Sequence, residues 1–305
     1  MFERILVPLD GSKTAESALP YARTLAERLD ADVELLEVID VGEISGNVST
    51  ATAALLNDVP RSGRPDQYLT QIAKSFPSIR TRWRVEQGSA AAIIIDTAAA
   101  DKETLIIMGS HGRSGIHRWL LGSVAEKVLR GTSNPLLLVR ASEQAPTDGQ
   151  ATFGSIVVPL DGSKQGELAL APALALARSM KIEMVLVRTY ELPATAYYRA
   201  DDYPASAAAF IPSYAELVEE MSREAREYID AKVKELRSHG LEQVRSQVLE
   251  GNAAEQIIKL SQNTTGSLIA MCTHGQSGLK RWVLGSITEK VVQHSQNPVL
   301  LIRST

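Results

Sequence analysis

The chain has one cysteine, Cys272, in 305 residues. No disulfide can form within it, which fits a reducing compartment. It has no apolar run long enough to cross a bilayer. The N-terminal residues Met1-Phe-Glu-Arg-Ile-Leu-Val-Pro8 enter a strand pattern directly, without a basic region, apolar segment and cleavage site in succession. A cytoplasmic setting with no membrane insertion is therefore expected. A large excess of either charge sign is also missing. The formal net charge of −4 argues against a general nucleic-acid surface but leaves room for a local anion site. There is no Gly-x4-Gly-Lys-Ser/Thr loop. No Ser, His and acid trio is suggested either, because no loop histidine has an evident orienting partner.

What is present is ordinary in bulk and unusual in arrangement. With 44% apolar and 22% charged residues the composition is that of a globular protein. The length favours two domains over one. The sequence repeats itself. Leu105–Arg140 lies on Leu268–Arg303 at an offset of 163 with no gap and 20 identities in 36 positions. Ile5-Leu-Val-Pro-Leu-Asp-Gly-Ser-Lys13 returns as Ile156-Val-Val-Pro-Leu-Asp-Gly-Ser-Lys164 at an offset of 151, so the second copy carries 12 more residues between its ends. Residues 1–141 and 153–305 are predicted as two domains. The polar stretch 142–152, with Pro146 and Gly149, is predicted as their linker.

Within each copy, apolar runs alternate with helical spacing. The first copy predicts strands over Arg4–Pro8, Val33–Ile39, Arg80–Glu86, a run from Leu105 and Leu136–Val139. Its helices follow Ser12, cover Gln67–Phe76 and Ala90–Ala100, and start at Ser123. Asp40–Pro65 is expected to be irregular. The second copy repeats the order, with a long amphipathic helix over Ser213–Ser238 after an insert that carries Tyr190, Tyr197, Tyr198 and Tyr203. Alternation of this kind gives a parallel sheet covered on both faces. Ligands of such sheets sit beyond the carboxyl ends of the strands.

The stretch from Leu105 through Gly109, Gly112 and Gly122-Ser123 runs from strand to glycine-bearing loop to helix N-terminus, an arrangement suited to phosphate because first-turn N–H groups lack partners. Simpler explanations compete. Ser123 with Glu126, and Ser286 with Glu289, have the spacing of a capping box, which would account for both pairs without a ligand. Asp10 and Asp161, each followed by glycine at a strand end, would serve a turn equally well. His111 and His274 have no ligating residue at metal spacing, so a protein-held metal is not expected.

These residues carry a family resemblance. Gly109-x2-Gly112-x9-Gly122-Ser123 after an apolar strand, with Pro8-Leu-Asp-Gly-Ser12 and Glu37-Val-Ile-Asp40 at two other strand ends, closely resembles the universal stress protein family, and it does so twice in the chain. The resemblance implies an α/β fold of two Rossmann-like domains. Each would have a five-stranded parallel sheet in order 3-2-1-4-5, and the two would form an internal pseudo-dimer. It implies adenine nucleotide binding, ATP above all, with Mg²⁺ at most as a phosphate counter-ion.

Carried over residue by residue, Asp10 and the Val38 backbone address base and ribose, with Pro8 and Met108 beside them. Gly109, His111, Gly112 and Arg113 line ribose and phosphates, and Gly122, Ser123 and Val124 supply donors to the phosphate chain. In the second copy the matching residues are Pro159, Asp161, Val187, His274, Gly275, Gln276, Gly285, Ser286 and Ile287. Cys272 replaces Gly109 there and is expected to crowd the nucleotide. Gln276 replaces Arg113 and removes a positive charge. The first copy is thus expected to be the stronger ATP site and the second weaker or empty. The expected role is a nucleotide-dependent sensor or regulator in stress response, with hydrolysis at most slow. A homodimer and an unidentified protein partner stay open, as does the alternative of an interaction module with vestigial pockets.

Overall fold

The structure, a computed structural model, describes residues 2–39, 65–110, 121–140, 148–192, 214–273 and 284–303. Residues 40–64 of the stretch expected to be irregular over Asp40–Pro65, the loop residues 111–120 and 274–283, residues 142–147 of the expected linker and the tyrosines of 193–213 lie outside them, and Pro65 opens a helix.

The first half runs β1 (Arg4–Leu9), α1 (Lys13–Glu16), α2 (Leu19–Leu29), β2 (Asp32–Ile39), α3 (Pro65–Ala73), β3 (Thr81–Gln87), α4 (Ala90–Ala99), β4 (Thr104–Gly109), α5 (Ser123–Gly131) and β5 (Leu136–Val139). The second half runs β6 (Ser155–Pro159), α6 (Lys164–Glu167), α7 (Leu170–Met180), β7 (Glu183–Tyr190), α8 (Tyr214–Ser238), β8 (Val244–Glu250), α9 (Ala253–Gln262), β9 (Ser267–Cys272), α10 (Ser286–His294) and β10 (Val299–Ile302). The single helix expected after Ser12 is two, α1 and α2, and the same division recurs at α6 and α7.

All ten strands form one sheet, ordered β3-β2-β1-β4-β5-β10-β9-β6-β7-β8. Each half has the expected 3-2-1-4-5 order with parallel pairing. The seam is antiparallel, β5 against β10, with Leu137 opposite Leu300. Every residue of β4, β5, β9 and β10 is buried, as strands covered on both faces must be.

Successive side chains go to opposite faces, so the sheet splits two apolar layers. On one face Ile5, Val7, Leu35 and Ile107 pack with Leu25 and Leu69, and this layer continues across the seam to Leu300, Ile156, Leu176 and Ile229. On the other, Leu6, Leu36, Ile106 and Leu138 pack with Ile94 and Val128 and continue to Ile257 and Val291. At about 25 cal/mol per Å² of apolar surface removed from water, a core shared by both halves makes the seam a part of the fold. The segment entering the second half is strapped along α2. Arg23 Nε donates to Gly149 O (2.8 Å), Thr24 Oγ1 to Ala151 O (3.0 Å) and Ala151 N to Pro20 O (3.2 Å), and Tyr21 meets Phe153 edge-on.

Candidate nucleotide site at the strand ends

The Asp-Gly-Ser sequence turns the chain sharply after the first strand of each half. Gly11 and Gly162 have φ of 78° and 81°, a region that glycine enters without the steric cost of a Cβ. Asp10 Oδ1 then accepts from Ser12 N (3.0 Å) and Ser12 Oγ (2.6 Å), while Ser12 Oγ accepts from Ala15 N (3.1 Å) and caps α1. Asp161, Ser163 and Gly166 repeat this at 3.0, 2.6 and 3.0 Å. The turn-holding role weighed in the sequence is therefore real for one oxygen of each aspartate.

The glycine loop leaves and returns at one place. Ser110 N donates to Val139 O, and Gly122 N donates to Ser110 O, both at 2.8 Å, so the start of α5 is tied to the end of β4. Gly285 N to Thr273 O repeats the tie at 2.8 Å. These bonds decide where each helix begins. Gly122 and Gly285 are the N-caps, with φ near −60° and ψ of 146° and 140°, and neither helix has a side-chain cap. The capping boxes expected from Ser123–Glu126 and Ser286–Glu289 do not form, because each serine stands inside the helix. Glu126 instead pairs with Arg130 one turn on, at 3.0 Å. Among the described residues neither helix N-cap therefore has a side chain that accepts from the first turn, and Ser123 and Ser286 are exposed beside it.

Of the expected site residues, Pro8 and Asp10 lie at the end of β1, Val38 near the end of β2, Met108 and Gly109 at the end of β4, and Gly122, Ser123 and Val124 at the start of α5. β2, β1 and β4 are neighbours, so these ends share one edge of the sheet. Pro159 and Asp161, then Gly285, Ser286 and Ile287, are arranged alike in the second half. Val187 pairs with Pro159 as Leu36 pairs with Pro8, so the residue that stands where Val38 does is Thr189, two places further along the strand. His111, Gly112, Arg113, His274, Gly275 and Gln276 lie outside the described residues.

Cys272 does not point where expected. It belongs to the layer under α6 and α7, is 6% exposed, and its Sγ lies 3.7 Å from Gly166 O. Burial, with Asp161 nearby, pushes its thiol up to about 12. Gly166 occupies the place that Ala15 holds in the first half, so the larger residue on the strand meets a smaller one on the helix.

Two features at these strand ends were not singled out in the sequence. Tyr68 of α3 donates to Glu16 Oε1 (2.9 Å), and Tyr228 of α8 to Glu167 Oε1 (2.8 Å), so each half ties its inserted helix to the short helix after its first strand. Burial and then the carboxylates raise both phenols well above the usual tyrosine range. The second is a charge exchange at the offset of 151: buried Glu37 stands in the first half where the second has Arg188. Arg188 lies 5.7 Å over the Tyr228 ring and donates to Leu160 O at 3.3 Å. Superposing the two copies reveals that exchange; the tyrosines lie beyond the reach of the gapless match.

Among the described residues no helix is long and apolar enough to cross a membrane, and no group of three or more His, Cys, Asp or Glu is arranged to hold a metal. The ten-stranded architecture has relatives among solved structures. A universal stress protein from Archaeoglobus fulgidus superposes over 99% of both chains with a TM-score of 0.65 at 19% identity. A putative universal stress protein from Pseudomonas aeruginosa covers 99% of this chain and 93% of its own at 0.63 and 20% identity. In sequence, a universal stress protein of Mycolicibacterium smegmatis is 22% identical over 98% of this chain and 96% of its own. One from Methanocaldococcus jannaschii is 29% identical over 46% of this chain and 83% of its own. The universal stress protein family pattern matches residues 1–140 and again 152–303, so the chain belongs to the universal stress protein family, as a tandem of two such domains.

Proposed function

We propose that this protein binds adenine nucleotide, ATP above all, at the strand ends, and acts as a nucleotide-dependent sensor or regulator. The observation that carries the reading is the glycine-capped start of α5. Because its N-cap is a glycine, which has no side chain to accept from the first turn, the helix offers backbone N–H groups and the positive end of its dipole to an anion. Gly122 keeps the approach clear, and Ser123 and Val124 N–H groups, with the Ser123 hydroxyl, donate to phosphate oxygens. Asp10, held by its turn, and the Val38 backbone address ribose and base, with Pro8, Met108 and Gly109 beneath. Family membership supports the same reading.

The second half offers the same ledge through Gly285, Ser286 and Ile287, with Asp161, Val187 and Pro159 at its strand ends. The preference for the first half rests on the sequence difference of Arg113 in the first copy against Gln276 in the second, since the Cys272 side chain is turned into the core. His111, Gly112, His274 and Gly275 complete the two loops. Mg²⁺ enters, in this reading, with the phosphates rather than on a protein-built site.

Equilibrium titration of the full chain with labelled ATP tests the proposal. Saturable binding is expected, with the first-half site filling first. No uptake at millimolar nucleotide rejects it.

A further inference from the structure

The two halves hold each other's candidate phosphate helices. Arg303 follows β10, and its Nη1 donates to Arg130 O (3.2 Å) and Thr132 O (2.6 Å), at the C-terminal end of α5 in the other half. Arg140 follows β5, and its Nη1 donates to Gln293 O and Ser295 O, both at 3.3 Å, at the C-terminal end of α10. The four carbonyls are equivalent in pairs at the offset of 163, as are the two arginines. The antiparallel seam causes this. Each last strand ends beside the start of its partner, and each partner strand is entered from the helix just before it.

Helix C-termini leave carbonyls without intrahelical donors and carry the negative end of the dipole, so a guanidinium there forms charge-assisted bonds. α5 and α10 have nine residues each, about 13 Å of rigid rod at 1.5 Å per residue. The glycine ledge is at one end of each rod and the foreign arginine at the other.

We propose that Arg140 and Arg303 are reciprocal positioning residues, each setting the orientation of the anion-seating helix in the half it does not belong to. The inference rests on the nucleotide reading for its effect on ligand, but the crossed mechanical link stands without it. The seat of the first half depends on Arg303, and that of the second on Arg140.

The test uses the full chain with Arg303→Gln, Arg140→Gln and the matching lysine variants. It measures amide hydrogen exchange in Ser123–Gly131 and Ser286–His294, with and without ATP. Arg303→Gln is expected to speed exchange in Ser123–Gly131 on the order of threefold or more and to weaken ATP protection there, leaving Ser286–His294 at the parental rate. Arg140→Gln gives the mirror result, and each lysine variant, which keeps the charge, recovers part of the loss. Equal loss in both helices, loss in the arginine's own half, or no change overturns the proposal. A crossed exchange pattern with no effect of ATP on the parent protein sinks the nucleotide reading and leaves the link standing. ATP protection without a crossed pattern does the reverse.

Discussion

The two halves share a backbone and differ in charge and volume where their strands end. In the first, Asp10, Glu16 and Glu37 all lie close enough to raise the Tyr68 phenol. In the second, Asp161 and Glu167 are met by Arg188 over the Tyr228 ring and by Lys232, whose Nζ is 2.9 Å from Glu167 Oε2. The volume difference is an exchange: Gly109 with Ala15 in one half, Cys272 with Gly166 in the other. What duplication left alone is more telling: the Asp-Gly-Ser turn, the glycine-capped helix, the tyrosine tie and the arginine link. In the nucleotide reading proposed above, these are the parts that set the backbone position of the seat. The charge around them can change with the fold intact.

The largest effect expected from breaking this comparison is at the ledge. Gly122 has φ of −62°, which any residue adopts, and aspartate is a good N-cap. Gly122→Asp should therefore hold or raise thermal stability, while its carboxylate takes the first-turn N–H groups and repels phosphate. ATP affinity at the first-half site should fall by about tenfold or more, a loss of roughly 1.4 kcal/mol or above. Gly285→Asp should do the same to the second. Calorimetric titration beside a melting curve checks both signs, and unchanged affinity would remove the ledge from the site.

An intermediate effect is expected from the volume exchange. A Cβ at Gly166 would come within 2.6 Å of Asp161 Oδ1 and 3.3 Å of Ser163 Oγ, while Cys272 Sγ lies 3.7 Å from the same residue's carbonyl oxygen. Gly166→Ala should destabilise the chain by about 1–3 kcal/mol as overpacking does. Adding Cys272→Gly restores the first-half pairing and should recover part of that loss, with a coupling of roughly 0.5 kcal/mol or more in a denaturant double-mutant cycle. Simple additivity would mean that the two positions drifted independently.

The smallest effect concerns charge. Arg188→Gln removes the cation over Tyr228 and the bond to Leu160 O. It should lower second-half ATP affinity about twofold at low salt and less at high salt, because partly exposed charges are screened beyond about 10 Å at 0.1 M. A twofold loss that survives high salt would point to displaced structure instead of lost charge.

Much of this was legible in the residues. The duplication, the alternation of strand and helix, and the unalternating apolar runs determine two sets of parallel strands, which the seam joins into one sheet. Asp-Gly-Ser determines the turn, since these chemical preferences act over a few neighbouring positions. Helix starts were legible only in part. Ser-x-x-Glu spacing is local and favours a box, but the bond from Gly122 N to Ser110 O, across twelve positions, moves the start back by one residue. The direction of Cys272 followed from strand parity together with which helix covers that face, and only the second is tertiary. The meeting of Arg303 with Thr132 O, 171 residues away, was not legible at all. Local preference fixes what each segment is, whereas the seam between β5 and β10 fixes which distant segments touch, because hydrogen-bond partners across it are set by strand order and direction and not by neighbourhood along the chain.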